Sequence, residues 1–103
     1  MGYQASLEES EREGTFFIDL GRKRAVLNFR KTGNDVYAIH TYIPPEFRGR
    51  GIAANLVEAL IEYCRKRGMK IYPACSYVSA YFEKRAELGD ILSDSYPLKK
   101  RVS

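Results

Sequence analysis

Ile43-Pro44-Pro45-Glu46-Phe47-Arg48-Gly49-Arg50-Gly51-Ile52-Ala53 is the stretch of this chain whose residue types and spacing point most directly to chemistry. It lies between a predicted strand end and a predicted helix start. The first N–H groups of a helix have no internal partners and the dipole there is positive, so such a junction suits an anion. Gly49 and Gly51 let the backbone approach it, Arg48 and Arg50 add charge, and Ala53 is too small to block the way. A pyrophosphate is the expected ligand, with Arg48 to Ala53 as its cradle. Two further residues have reactive side chains near predicted element ends. Cys75 stands at the start of a predicted second helix, where a thiol is lowered toward thiolate, and two readings remain open: a nucleophile, or a small buried hydrophobe. His40, the only histidine, is on the strand leading into the glycine loop. It suits a general base near neutral pH if it meets a reacting amine, and is otherwise a surface or structural imidazole.

The elements that position these residues are legible as a change of period. Thr15 to Leu20 is rich in aromatic and β-branched residues, and Gly21-Arg22-Lys23 supplies a turn. Ala25, Leu27 and Phe29 then alternate with Arg24, Val26, Asn28 and Arg30 over residues 24–31, which makes a hairpin. Val36 to Ile43 is a third strand, ended by Pro44-Pro45. A helix follows from about Gly51 with Ile52, Leu56, Ala59, Leu60 and Tyr63 on one face, widened by Val57, Ile61 and Cys64. Gly68 is its C-cap. Residues 69–72 read as a short strand stopped by Pro73, and Ser76 as the cap of a second helix to about Arg85. From Leu88 the tail adds a strand or stays irregular. The expected class is an α/β (α+β) domain with a mixed, mainly antiparallel sheet in the order β-β-β-α-β-α and helices packed on it. Residues 1–14 are expected to be a polar, frayed lead-in and residues 15–103 a single domain.

Composition narrows the classes. A chain of 103 residues with 45% hydrophobic and 29% charged side chains is sized for one globular core, not for a disordered tail. Seventeen Lys and Arg against thirteen Asp and Glu give +4, which fits an anionic ligand without the dense basic stripe of a nucleic-acid binder. No apolar run approaches a membrane span, and Gly2 with Ser6 fits only a loose acylation pattern. Cys64 and Cys75 have no CxxC spacing, and with no secretion signal the expectation is two reduced thiols in a cytoplasmic protein that binds no metal. The runs Arg22-Lys23-Arg24 and Lys99-Lys100-Arg101 read as solvated charge.

The loop matches neither GxxxxGK[ST] nor GxGxxG. Arg48-Gly49-Arg50-Gly51-Ile52-Ala53 instead resembles the Q/R-x-x-G-x-G/A acyl-CoA signature of the GNAT N-acetyltransferase superfamily. The likeness covers about residues 15–92 and is closer to a small branch of roughly hundred-residue proteins that lack the usual N-terminal helices. His40-Thr41, the loop, and Pro73-Ala74-Cys75-Ser76-Tyr77-Val78 with Tyr81 after it are the matching runs. The resemblance implies acetyl-CoA as cosubstrate, pantetheine held by the main chain of Tyr42 and Ile43, and a suspected active-site role for Cys75. It also implies a tyrosine on the last helix as the acid for the leaving thiolate. This chain departs from the pattern there, reading Phe82-Glu83-Lys84 for the frequent Tyr-Glu-Lys, so Tyr81 is the candidate with Tyr77 a turn earlier. Arg85-Ala86-Glu87 likewise replaces the branch's frequent Arg-His-Pro.

The implied function is acetyl transfer to an unidentified small-molecule or protein amine, directly or through Cys75. Two other classes stand beside it: a non-catalytic CoA or acetyl-CoA binding module, and a small basic nucleic-acid binder, the latter not the expected one. A monomer or homodimer is expected.

Overall fold

The structure is a computed structural model and describes residues 3–97, so Gly2 and Lys99-Lys100-Arg101 lie outside the described residues. Five strands form one sheet in sequence order: β1 (Ser6–Glu9), β2 (Glu13–Leu20), β3 (Lys23–Thr32), β4 (Asp35–Tyr42) and β5 (Lys70–Pro73). Neighbours are antiparallel except β4 and β5, which are parallel and joined through helix α1 (Ile52–Arg67). Helix α2 (Ser76–Glu83) follows, then a 3-10 segment (Ala86–Ile91). This is the mixed, mainly antiparallel α/β architecture expected, with one more strand.

That strand is the first correction. Residues 6–9 are a paired edge strand and not part of a frayed lead-in, with Ser6 opposite Phe17 and Glu9 opposite Gly14. A carboxylate fixes it: Glu9 Oε1 accepts from Tyr63 Oη of α1 at 2.6 Å and from Lys31 Nζ of β3 at 2.9 Å. Tyr63 first and Lys31 second hold the Glu9 carboxyl below its ordinary range. A lowered folded-state value means that the contribution is complete above the ordinary carboxylate range and is lost as pH falls through it toward Glu9's own value. Glu9→Gln should therefore cost about 1 kcal/mol at pH 7. The deficit should shrink in melts run at pH 3, and an equal deficit at both pH values would exclude this origin.

The core lies between one sheet face and the helices. Ala25, Leu27, Phe29, Val36 and Ala38 meet Leu56, Val57, Leu60 and Cys64 of α1 and Val78 and Phe82 of α2, all buried. Basic residues Arg65, Lys66 and Arg67 end α1 before Gly68 closes it at φ +66. Behind the 3-10 segment, Leu92 bridges Ile71 in parallel and Ser93 N–H donates to the Ile71 carbonyl at 2.8 Å, covering the β5 edge.

A bulge in β4 decides which of its last side chains face the helices. Phe29 pairs with Ala38 but Asn28 with His40, leaving Ile39 as an extra residue. An inserted residue reverses every later side chain. Thr41 consequently shares the helix-facing side with Leu27, its cross-strand partner, while His40 shares the opposite face with Asn28.

Candidate functional site

After β4 the chain passes buried Pro44 and a 3-10 turn (Pro45–Phe47), then enters α1 through two left-handed residues, Gly49 at φ +82 and Gly51 at φ +77. Gly51 is the N-cap and offers no side chain to the first turn, although its carbonyl accepts the Asn55 N–H at 3.1 Å. A Cβ at Gly49 or Gly51 would meet nothing within 4 Å. Backbone conformation, not packing, thus requires glycine there, and the space beside the helix N-terminus is open. Arg48 Nε donates to the Ile43 carbonyl at 3.1 Å, and Arg50 lies 5.1 Å from the Phe47 ring centre.

The strands part directly beneath this loop. Pairing of β4 with β5 runs from Asp35 to Ala38, whose carbonyl accepts the N–H groups of Ala74 at 2.9 Å and Cys75 at 2.8 Å. β4 continues to Tyr42 without β5, so its edge opens on a cleft of about 430 Å³. Tyr42, Ile43, Arg48, Gly49, Gly51, Ile52 and Ala53 line that cleft, whereas Arg50 does not. Thr41, Phe47 and Tyr77 line it as well.

The expected catalytic side chains are not brought together in one place. Cys75, half-buried, occupies the N-cap of α2, the position expected for Ser76, because its extended backbone (φ −84, ψ 137) precedes the first helical residue. Its Sγ lies 3.4 Å from Thr41 Oγ1, just behind the cleft wall. Burial pushes the Cys75 thiol up, but the Thr41 hydroxyl and the backbone N–H groups of Val78, Tyr77 and Thr41 outweigh it, leaving the thiol below its ordinary value. Cys64 is the opposite case: burial inside α1 pushes it up to about 12.

Tyr81, the expected acid, is turned away. It is 7% exposed, its hydroxyl donates to Glu58 Oε2 at 3.2 Å, and Arg85 stacks on its ring at 3.8 Å. Tyr77, 40% exposed, is the tyrosine that lines the cleft. Burial raises the Tyr77 phenol, Arg85 lowers it and Glu58 raises it, with a net upward shift that keeps its proton available. Phe82 fills the core at the position where the family pattern carries a hydroxyl. His40 is exposed on the face of the sheet opposite Cys75. Thr41 is the residue that sequence reasoning missed: the alternation of Val36 and Ala38 would place it on the opposite face, and only the bulge brings it beside Cys75.

A parallel strand, a glycine turn and a helix N-terminus thus stand over a parted strand pair. A sequence model of GCN5-related N-acetyl-transferases matches residues 15–91, and the chain belongs to that family. Protein NATD1 of Xenopus tropicalis is 34% identical over 81 residues, covering 76% of this chain and 74% of its own length. The human NATD1 is 29% identical over 86 residues, 81% of this chain and 76% of its own. A GCN5-like protein of Staphylococcus aureus solved in solution superposes with a TM-score of 0.67 at 24% identity, covering 85% of this chain and 87% of its own. That likeness supports the fold. Among the described residues no helix is long and apolar enough to cross a membrane, and no group of His, Cys, Asp and Glu side chains could hold a metal ion.

Proposed function

We infer that this protein transfers the acetyl group of acetyl-CoA to an amine. The observation that carries the reading is the cleft at the β4–α1 junction, where an open strand edge leads to a helix N-terminus with empty space beside Gly49 and Gly51. A pyrophosphate fits there chemically: unpaired first-turn N–H groups would hold its oxygens, with Arg48 and Arg50 adding charge. Main-chain groups of Tyr42 and Ile43 would hold the amides of the pantetheine arm, as the open edge permits.

Cys75 is the proposed nucleophile. Its thiolate, favoured by Thr41 and the first turn of α2, attacks the thioester carbonyl. The carbon–sulfur bond to CoA breaks, and the departing thiolate takes the proton of Tyr77. The backbone N–H near Ile43 is the proposed donor to the oxyanion. The amine then attacks acetyl-Cys75, releasing its thiolate. Tyr81 serves instead to hold α2 against Glu58 of α1.

Tyr77→Phe is expected to lower turnover by roughly 10²-fold, the scale of losing a general acid, while Tyr81→Phe changes it by only a few fold. The reverse order in steady-state assays would return the acid role to Tyr81. The reading itself is tested by CoA release from acetyl-CoA across a panel of small amines and peptides. Release that depends on one acceptor class supports it; tight acetyl-CoA binding without release from any acceptor would make the protein a CoA-binding module. Nucleic acid has less support, since Lys23, Arg24, Lys31, Arg65 and Lys66 are each paired with a carboxylate.

A further inference from the structure

The gap where β4 leaves β5 has two sides. Thr41 and, behind it, Cys75 bound the helix side, and His40, the preceding residue of β4, projects from the other. On that other face a line of polar side chains crosses three strands at matched register, Thr15 of β2 opposite Asn28 of β3 and Asn28 opposite His40 of β4. Asn28 Nδ2 donates to Thr15 Oγ1 at 2.7 Å, which turns its amide oxygen toward His40, and Asn28 Oδ1 lies 3.0 Å from His40 Nδ1. Two lone pairs facing at that distance repel, so the contact requires a hydrogen on Nδ1. In the neutral ring Nε2 then carries the lone pair. Thr15, Asn28, Ile39 and His40 all line a second cleft of about 500 Å³ on this face. The line exists because of the bulge: with regular pairing, His40 would face Leu27 and the core, out of reach of Asn28.

We propose that Asn28, anchored by Thr15, is a positioning residue that fixes His40 with Nδ1 protonated and Nε2 free to accept the proton of an amine entering from this second cleft. The inference rests on the acetyl-transfer reading for its chemical purpose, but the tautomer is a property of the protein alone. In the step, the amine nitrogen forms its bond to the acetyl carbon, the carbon–sulfur bond to Cys75 breaks, the sulfur leaves as thiolate, and the amine proton passes to Nε2. Neither Asn28 nor Thr15 belongs to the loop signature.

A single histidine makes the test clean. Long-range 1H–15N correlation spectra of the neutral ring should show the Nδ1–H tautomer in the wild type. Asn28→Ala should lose that tautomer, and Asn28→Asp, which keeps an acceptor oxygen, should retain it. Thr15→Val should weaken the preference without removing Asn28. With an acceptor found in the release assay, Asn28→Ala should lower kcat by about tenfold or more while kcat/KM for acetyl-CoA, which reports only the first half-reaction, stays unchanged. An Nε2–H tautomer in the wild type, or a tautomer indifferent to Asn28→Ala in a variant with native melting, overturns the positioning role. Unchanged kcat in Asn28→Ala overturns its part in the reaction. Failure of the transferase reading would appear differently, as no acetyl transfer by the wild type despite the expected tautomer.

Discussion

Gly51→Asp is expected to weaken acetyl-CoA binding by at least about a hundredfold, about 2.7 kcal/mol on the affinity scale. Two effects add. Any side chain at Gly51 would take up part of the open space beside the helix N-terminus where the pyrophosphate is assigned. The larger effect is charge, since the new carboxylate would occupy the first turn of α1 and compete for the N–H groups assigned to the pyrophosphate. The fold should survive, because a Cβ at Gly51 meets nothing within 4 Å and Asp is among the residues that enter the left-handed region at least cost. Gly51→Asn separates the two effects: it has the same shape without the charge and should lose only about tenfold. Calorimetry on the three proteins checks this, and equal affinity for wild type and Gly51→Asp would remove the loop from the site.

Cys75→Ala is expected to abolish any acetyl-enzyme seen by mass spectrometry and to lower turnover by about two to three orders of magnitude. Thr41 supplies the physical reason: its hydroxyl, 3.4 Å from Sγ, favours the thiolate in a site where burial alone would raise the thiol. The sign follows for pH. Because the thiol lies below its ordinary value, the rate of alkylation at Cys75 should rise to its plateau at lower pH than that of a free cysteine, and Thr41→Val should move the midpoint upward. Cys64, pushed up to about 12 by burial, should remain unlabelled in the native protein. Continued turnover by Cys75→Ala with no adduct in the wild type would assign the transfer to direct attack by the amine. An adduct that persists in Cys75→Ala would place the acetyl group on another residue.

Much of this site was legible because its signals are local. Strand alternation over residues 24–31, the helical face from Ile52 to Cys64, and the paired glycines needed no tertiary information. β1 escaped because Ser6-Leu7-Glu8-Glu9 is polar, and what secures it is Glu9 reaching Tyr63 in a distant part of the chain. The bulge escaped for a related reason. Val36 and Ala38 set an alternation that, continued, places His40 on the core face, and only pairing with β3 discloses that Ile39 interrupts it. The same interruption brings Thr41 to Cys75. Tyr77 and Tyr81 are one helical turn apart and chemically identical in sequence, so burial and the Glu58 contact alone distinguish the one lining the cleft.

An NMR titration of the 15N-labelled protein with acetyl-CoA tests the central claim most directly. Saturable shifts concentrated in the amides of Gly49 to Ala53 and of Thr41 to Ile43 are the predicted result, the first set reporting the pyrophosphate and the second the pantetheine arm. Spectra unchanged at millimolar acetyl-CoA, or shifts confined to residues away from the β4–α1 junction, would contradict it.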